Sequence, residues 1–207
     1  MTDATLCVHL VDDEASVRDA LSFLFSSHGL NVCAYPDGPA LLAALAREPL
    51  HGCLLLDVRM EPLSGLQLHD ELIARGVSLP VIFLSGHGDI PMAVDALRKG
   101  ALDFVEKPFS DHALVERVQR ALALAQSQRE QQATQGAAGQ RLASLTERER
   151  EVMQRVAAGK LNKVIADELH ISMRTVEVHR AKVFSKLGVK SAAELATLLA
   201  LTARAAS

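Results

Sequence analysis

Tryptophan is absent from this chain of 207 residues, tyrosine occurs once, and aromatic residues together make up 3% of it. A protein that stacks the bases of single-stranded nucleic acid needs aromatic faces along a basic groove, so that mode of binding is disfavoured. Cysteine is nearly as scarce, with only Cys7, Cys33 and Cys53. The odd count, the wide spacing and the lack of a C-x-x-C pair argue against a disulfide framework and against a zinc site. Each lies in an apolar run and reads as a small buried hydrophobe in a reducing compartment. No apolar run approaches the roughly 18 residues that would suggest a membrane span. The opening Met1-Thr2-Asp3-Ala4-Thr5 has no basic stretch, and the apolar run behind it ends at Asp12, which speaks against a signal peptide. Neither G-x-G-x-x-G nor a P-loop occurs, so the common nucleotide cradles are missing. These absences point to a cytoplasmic protein with no membrane partner.

What is present is divided unevenly. The net charge is −3. Residues 1–120 carry 9 Lys/Arg against 17 Asp/Glu, whereas residues 140–207 carry 12 against 7. A charge split of this kind suggests two domains with different partners. The basic surplus of the second suits phosphate contacts.

The first half alternates two periods. Short apolar runs at Leu6–Val11, Asn31–Tyr35 (weaker), Cys53–Leu56, Val81–Leu84 and Phe104–Val105 read as strands, most of them buried on both faces. Between and after them, amphipathic segments near 15–28, 38–47, 65–75, 90–99 and 111–128 read as helices. Five β–α units predict a parallel sheet with helices on both faces. The fifth helix has no clear stop. Its pattern fades into the Gln-rich stretch 126–132 and then into Gly136-Ala137-Ala138-Gly139, which reads as a flexible linker.

Beyond the linker the strand signal disappears and four helices are predicted. Thr146-x-x-Glu149 is a capping box that opens the first, which Gly159 ends. Asn162 is predicted to cap a second that runs to Leu169. Ser172 caps a third, which ends at Gly188, and Ser191-x-x-Glu194 opens the fourth. The expected organisation is 1–124 as the sheet domain, 125–141 as a partly helical linker and 142–207 as an all-α domain.

Ligands of parallel α/β sheets sit beyond the carboxyl ends of the strands. Those ends carry Asp12, Asp13, Asp57, Ser85 and Lys107. Converging carboxylates repel one another, and a hard cation such as Mg²⁺ resolves the repulsion with oxygen ligands. A carboxylate beside such an ion can attack phosphorus and become an acyl phosphate, with a lysine offsetting charge on the phosphoryl oxygens and a hydroxyl donating to them. The constellation suits phosphoryl acceptance by Asp57.

Val11-Asp12-Asp13-Glu14, Leu56-Asp57-Val58-Arg59-Met60, Leu84-Ser85-Gly86-His87-Gly88-Asp89-Ile90-Pro91 and Lys107-Pro108-Phe109 together resemble the receiver domains of two-component response regulators, in particular the FixJ-type subfamily. The resemblance covers roughly 5–125. It implies a flavodoxin-like (βα)5 fold with Asp57 as phosphoacceptor. It also implies a Mg²⁺ or Mn²⁺ site formed by Asp12, Asp13, Asp57 and the backbone carbonyl of Arg59. Ser85 and Phe104 become the switch pair, Lys107 contacts the phosphoryl group, and the Lys107–Pro108 bond is a candidate cis bond. His87, two residues past Ser85, is a candidate for tuning phosphoryl lifetime, and His9 reads as a satisfied strand residue. One departure stands out. Met60-Glu61-Pro62-Leu63 replaces the usual Met-Pro-Gly, which displaces the proline and adds a charge beside the site.

The segment Met173–Leu187 has an apolar stripe at Val176, Val183 and Leu187 and a polar opposite face, as a helix entering the major groove requires. Arg180 could donate bidentately to guanine, Glu177 could accept from cytosine, and Ala181 could touch a thymine methyl. Arg174, Thr175, Lys182 and Lys186 are placed for phosphate contacts. The runs Leu145–Val152, Asn162–Ala166, Arg174-Thr175-Val176-Glu177-Val178-His179-Arg180 and Lys186–Val189 resemble the LuxR-type four-helix domain over about 142–203. That resemblance makes the third helix the DNA reader, with Val178 among its contacts, and the fourth a dimerisation helix. His179 is expected to pack rather than catalyse. His170 stands where the family often has glycine, so a left-handed backbone is predicted there.

The two resemblances imply a sensor histidine kinase, double-stranded promoter DNA and, by family habit, activation through RNA polymerase. Phosphorylation is expected to produce a homodimer, with Val94, Arg98, Asp103 and Arg117 as candidate interface residues. Two rivals exist: a metal-dependent phosphotransferase or hydrolase, which lacks the second Asp of a D-x-D motif here, and a partner-binding receiver that is never phosphorylated.

Overall fold

The computed structural model describes residues 5–86 and 90–203. The chain splits into two compact units, Met1–Arg129 and Glu130–Ser207.

In the N-terminal unit, strands and helices alternate: β1 (Cys7–Val11), α1 (Ala15–Ser27), β2 (Asn31–Tyr35), α2 (Gly38–Arg47), β3 (Gly52–Asp57), α3 (Gly65–Ala74), β4 (Val81–Ser85), α4 (Ile90–Arg98), β5 (Asp103–Glu106) and the start of α5 (Asp111–Ala143). All strand pairs are parallel, in the order β2-β1-β3-β4-β5. This is the flavodoxin-like order, with its switch point between β1 and β3. Two of the helix starts in this unit carry a side-chain cap. Asp37 accepts from the amide of Ala40 at the start of α2. Ser64 and Gln67 form a reciprocal capping box on α3.

Strand burial follows position in the sheet. β3 and β4 are central and covered throughout, and Leu54, Leu55 and Leu56 are at most 1% exposed. At roughly 1.5–3 kcal/mol for each fully buried aliphatic side chain, this run alone strongly fixes the centre of the sheet. β2 is an edge strand with exposed positions at Asn31 and Ala34, which accounts for its weak apolar pattern. One face of the sheet packs Val8, Leu10, Cys53 and Leu55 against Leu21, Phe25, Leu114 and Val118. The other packs Val11, Leu54, Leu56 and Phe83 against Leu41, Leu68, Leu72 and Ala96. The cysteines only partly fit the expected burial: Cys53 is buried, but Cys7 and Cys33 are half-buried because they lie at the β1–β2 side. Burial nevertheless pushes the Cys33 thiol up to about 11, with the neighbouring Cys7 adding to it, so it stays protonated at neutral pH.

The flexible linker read from Gly136-Ala137-Ala138-Gly139 is not what the structure has. Helix α5 runs unbroken from Asp111 to Ala143. Two glycines cost about 1 kcal/mol each against alanine. The alanine, glutamine and arginine around them are strong helix formers, and their combined preference carries the helix through.

The C-terminal unit adds α6 (Glu147–Ala157), α7 (Asn162–Leu169), α8 (Met173–Leu187) and α9 (Ala192–Ala203). Its core gathers Val152, Val156, Ile165, Val176, Val183, Leu187 and Leu195. Thr146 and Glu149 form the expected capping box, and Ser172 accepts from the amide of Thr175. Asn162 is not the cap of α7. That position is held by Leu161, which has no side-chain bond, and Asn162 is the first helical residue. Its amide oxygen is committed elsewhere, accepting from Arg180.

Candidate functional site

The strand register brings the acidic residues together. Val11 pairs with Leu56, Asp57 with Leu84, and Ser85 with Glu106. The residues at and just past these positions therefore share the carboxyl edge of the sheet. Asp57 ends β3, and the next helix starts unusually close to it. A Cβ on Gly65 would lie 2.1 Å from the Asp57 carbonyl oxygen, so no larger residue fits there without displacing the backbone of the site.

Lys107 stands at the centre. Its ammonium donates to Asp57 Oδ1 at 2.7 Å and to Asp12 Oδ2 at 3.1 Å. The backbone amide of Arg59 donates to Asp57 Oδ2 at 2.7 Å, and that of Glu14 to Asp12 Oδ1 at 2.9 Å. Asp12 is 1% exposed. Burial raises its carboxyl above the usual range, against the opposing pull of the Glu14 amide and of Lys107. For Lys107, burial works to lower the ammonium. The hydrogen bond from Lys107 to Asp57 and the charges of Asp12 and Asp57 outweigh it, so the amine is held above its ordinary value. Two carboxylates thus share one ammonium, and one negative charge is left uncompensated.

The other expected residues are placed less uniformly. Ser85 is buried at the end of β4, and its carbonyl accepts from the amide of Lys107 at 2.7 Å. Phe104 is half-buried on β5, its ring 6.2 Å from that of Phe83. Asp13 is exposed at the start of the β1–α1 turn, and Arg59 is exposed after β3. Among the described residues, no three His, Cys, Asp or Glu side chains stand arranged as a ready metal cage. The donor set still fits Mg²⁺, which keeps several waters and is commonly bound by only one or two carboxylates. Both Lys107–Pro108 and Glu61–Pro62 are cis. His87 lies outside the described residues. His9 is satisfied on both nitrogens, by the Tyr35 hydroxyl at 3.2 Å and by the His51 carbonyl at 3.1 Å. The sequence reading missed Arg18, whose guanidinium donates to the carbonyls of Asp12 and Asp13 and holds the acidic turn. A cation five to six residues after an acidic pair was the available signal.

Of the four candidate dimer residues, Val94 and Arg98 are exposed on α4. Asp103 and Arg117 are ion-paired with each other. On α8, Arg174, Glu177, Val178, Ala181 and Lys182 are exposed, and Thr175 is half-buried with its hydroxyl against that of Ser172. Two residues expected to face DNA are engaged within the unit. Arg180 donates to Asn162 at 2.9 Å and lies over the Phe184 ring at 5.3 Å. Lys186 donates to Glu149 at 2.6 Å and to the Ser144 carbonyl at 3.1 Å. The Lys186 hydrogen bond and the Thr146 amide hold the Glu149 carboxyl well below the usual range, at about 2. The helix face was read correctly as polar, but long side chains at its margin reach back to the fold. His170 has φ 53° and ψ 46°, the left-handed backbone expected there.

Comparison with known proteins gives the same two-part division. Residues 8–119 match the response regulator receiver domain, and residues 143–199 match the bacterial regulatory proteins of the luxR family. The transcriptional regulatory protein FixJ of Azorhizobium caulinodans is 44% identical over 95% of this chain and 93% of its own length. The C4-dicarboxylate transport transcriptional regulatory protein DctR of Rhodobacter capsulatus is 48% identical over 92% of this chain and 98% of its own. Among solved structures, the response regulator StyR superposes with a TM-score of 0.85 at 39% identity, covering 95% of this chain and 98% of that one.

Proposed function

The chain belongs to the response regulators of the NarL/FixJ type, a receiver domain joined to a LuxR-type DNA-binding domain, and from that premise we propose that Asp57 is its phosphoacceptor and that phosphorylation controls DNA binding by α8. The observation that carries this reading is the Lys107 ammonium held between the carboxylates of Asp12 and Asp57. One Asp57 carboxylate oxygen attacks the phosphorus of a phosphohistidine on a sensor kinase. The P–N bond breaks, the histidine takes up a proton, and a mixed anhydride forms at Asp57. Lys107 then faces the new phosphoryl oxygens, and Ser85 at the end of the neighbouring strand donates to them. Asp12, Asp13, Asp57 and the Arg59 carbonyl would hold Mg²⁺ or Mn²⁺, whose charge offsets that of the phosphoryl group. The only chemistry is on the protein's own side chain, so the molecule is a regulator rather than an enzyme with an external substrate.

In this reading the half-buried Phe104 turns inward as Ser85 moves, which reshapes the α4–β5 face. That face carries exposed Val94, Leu97 and Leu102. Dimerisation through it brings two α8 helices to two half-sites and raises avidity. Arg174, Glu177, Val178, Ala181 and Lys182 read the promoter, and the cytoplasmic dimer activates transcription with RNA polymerase. Arg180 must first leave Asn162 if it is to reach a base.

Incubation with acetyl phosphate and Mg²⁺, followed by intact mass measurement, tests the proposal. A single phosphoryl addition in the wild type that is absent in Asp57→Asn supports it. Turnover without an adduct favours a hydrolase, and no reaction favours a receiver that is never phosphorylated; either result overturns it.

A further inference from the structure

Arg18 is the fourth residue of α1, and the first turn of that helix has no acidic residue to pair with it. A helix N-terminus carries partial positive charge, so a cation near it is disfavoured. The hold of α1 on the sheet comes from Leu21 and Phe25, which are buried in the core. Glu14, at the N-cap of α1, makes no side-chain cap bond. What engages Arg18 is the turn before the helix. One guanidinium nitrogen, Nη1, donates to the Asp12 carbonyl at 2.7 Å and to the Asp13 carbonyl at 3.0 Å.

Both acceptors are neutral oxygens. Among the described residues, Arg18 makes no ion pair with the carboxylate of either aspartate. The two carboxylates are left for other partners. That of Asp12 faces Lys107 and the Glu14 amide. Asp13 is exposed. An aspartate side chain has few allowed rotamers, so the reach of its carboxylate follows the backbone at that residue. Arg18 fixes that backbone from the carbonyl side. Metal ligands are commonly oriented by groups that never touch the metal, and losing one typically costs about 10–100-fold in affinity.

Given the reading of Asp12, Asp13 and Asp57 as the Mg²⁺ site, on which this rests, we infer that Arg18 is a positioning residue for the divalent cation. By gripping the carbonyls of Asp12 and Asp13, it aims both carboxylates at the ion. The consequence runs against simple charge. Removing a cation from beside an anionic cluster should tighten Mg²⁺ binding by Coulomb's law. Removing the grip should weaken it, and the grip prevails. The effect lies at the low end of the usual range, because the Glu14 amide and Lys107 also hold Asp12.

Mg²⁺ titration of the full-length chain, followed by the amide shifts of Glu14 and Arg59, tests the inference. Those amides donate to the Asp12 and Asp57 carboxylates, so both sense an ion bound there. The wild type is expected to shift both saturably. Arg18→Met and Arg18→Gln each remove the charge and the grip while placing a good helix former in α1. Each should raise the Mg²⁺ dissociation constant about tenfold. Two variants are used so that if one fails to fold, the other decides. Denaturation in EDTA measures any folding role of Arg18 separately. A folded variant that binds Mg²⁺ as tightly as the wild type, or more tightly, would overturn the inference, whatever its stability in EDTA. No saturable shift in the wild type would overturn the Mg²⁺-site reading and this inference together, which is a different result from the failure of Arg18 alone.

Discussion

Lys107 in the N-terminal unit and Lys186 in the C-terminal unit each bridge two oxygen acceptors, one of them a carboxylate that is almost fully covered. In the first case the acceptors are two carboxylates, Asp12 and Asp57, and the ammonium cannot neutralise both. In the second they are one carboxylate and one carbonyl, and the charges balance. The N-terminal cluster therefore keeps a net negative charge that a further cation would offset. The C-terminal cluster is complete, and it ties α8 to the start of α6. A lysine near an acid says little by itself; what differs between these two covered clusters is the charge count.

Replacing each lysine by methionine would break or sharpen this contrast. Lys107→Met strands two carboxylates beside each other. We expect a loss of about 2 kcal/mol, below the full cost of an uncompensated buried charge because that lysine side chain is 24% exposed. Millimolar Mg²⁺ should restore most of the loss. Lys186→Met should lower the melting temperature of the C-terminal unit by several degrees, with no recovery in Mg²⁺. Thermal melts in EDTA and in Mg²⁺ measure both, and equal rescue of the two variants would erase the distinction.

Acid separates the units in a second way. Burial lowers the pKa of His9 and of His69 from 6.5. The unfolded chain takes up protons there first, so this contribution is present above pH 6.5 and is lost as the pH falls below it. Asp12, whose carboxyl is raised, works in the opposite sense at lower pH. In the C-terminal unit the depressed Glu149 contributes stability above its ordinary 4.5, and this is lost as the pH falls toward about 2. Amide exchange between pH 7 and 5 should therefore show the N-terminal unit loosening while the clamp around Glu149 holds. Simultaneous loosening would contradict the assignment of these groups.

The same distinction explains what the chain reveals before it is folded. β3 and β4 were legible because central parallel strands are continuous apolar runs, and Asp12 and Asp57 because each follows such a run; Lys107 follows the shorter Phe104–Val105 run of the edge strand β5. Backbone register then brings them together without any long-range guess. Helix starts were legible where a serine, threonine or aspartate caps them. The fates of Arg180 and Lys186 were not legible. Helical periodicity says which way a side chain leaves α8, but not that Asn162 lies 18 residues away or Glu149 37 residues away to receive it. The unbroken α5 was missed for a different reason. Composition at 136–139 is ambiguous between a linker and a helix, and the flanking helix formers decided it. Nor does the sequence mark His69, whose Nδ1 is buried with no hydrogen-bond partner among the described residues.

The smallest expected effect lies at His170, where the backbone of the C-terminal unit is left-handed at a residue other than glycine. A left-handed backbone costs a residue with a Cβ roughly 1–2 kcal/mol relative to the right-handed one. At φ 53° and ψ 46°, between α7 and the cap of α8, His170 bears that cost with no side-chain hydrogen bond among the described residues to offset it. His170→Gly removes the strain but also gives the unfolded chain more freedom, which returns roughly half of the gain. The net expectation is a stabilisation of less than about 1 kcal/mol, and at minimum no loss. Chemical denaturation of the two proteins side by side measures it. A drop of several degrees in the accompanying melt would mean that the histidine side chain holds this turn. The C-terminal unit would then have no uncompensated strain at this turn to set against the open charge at Asp57.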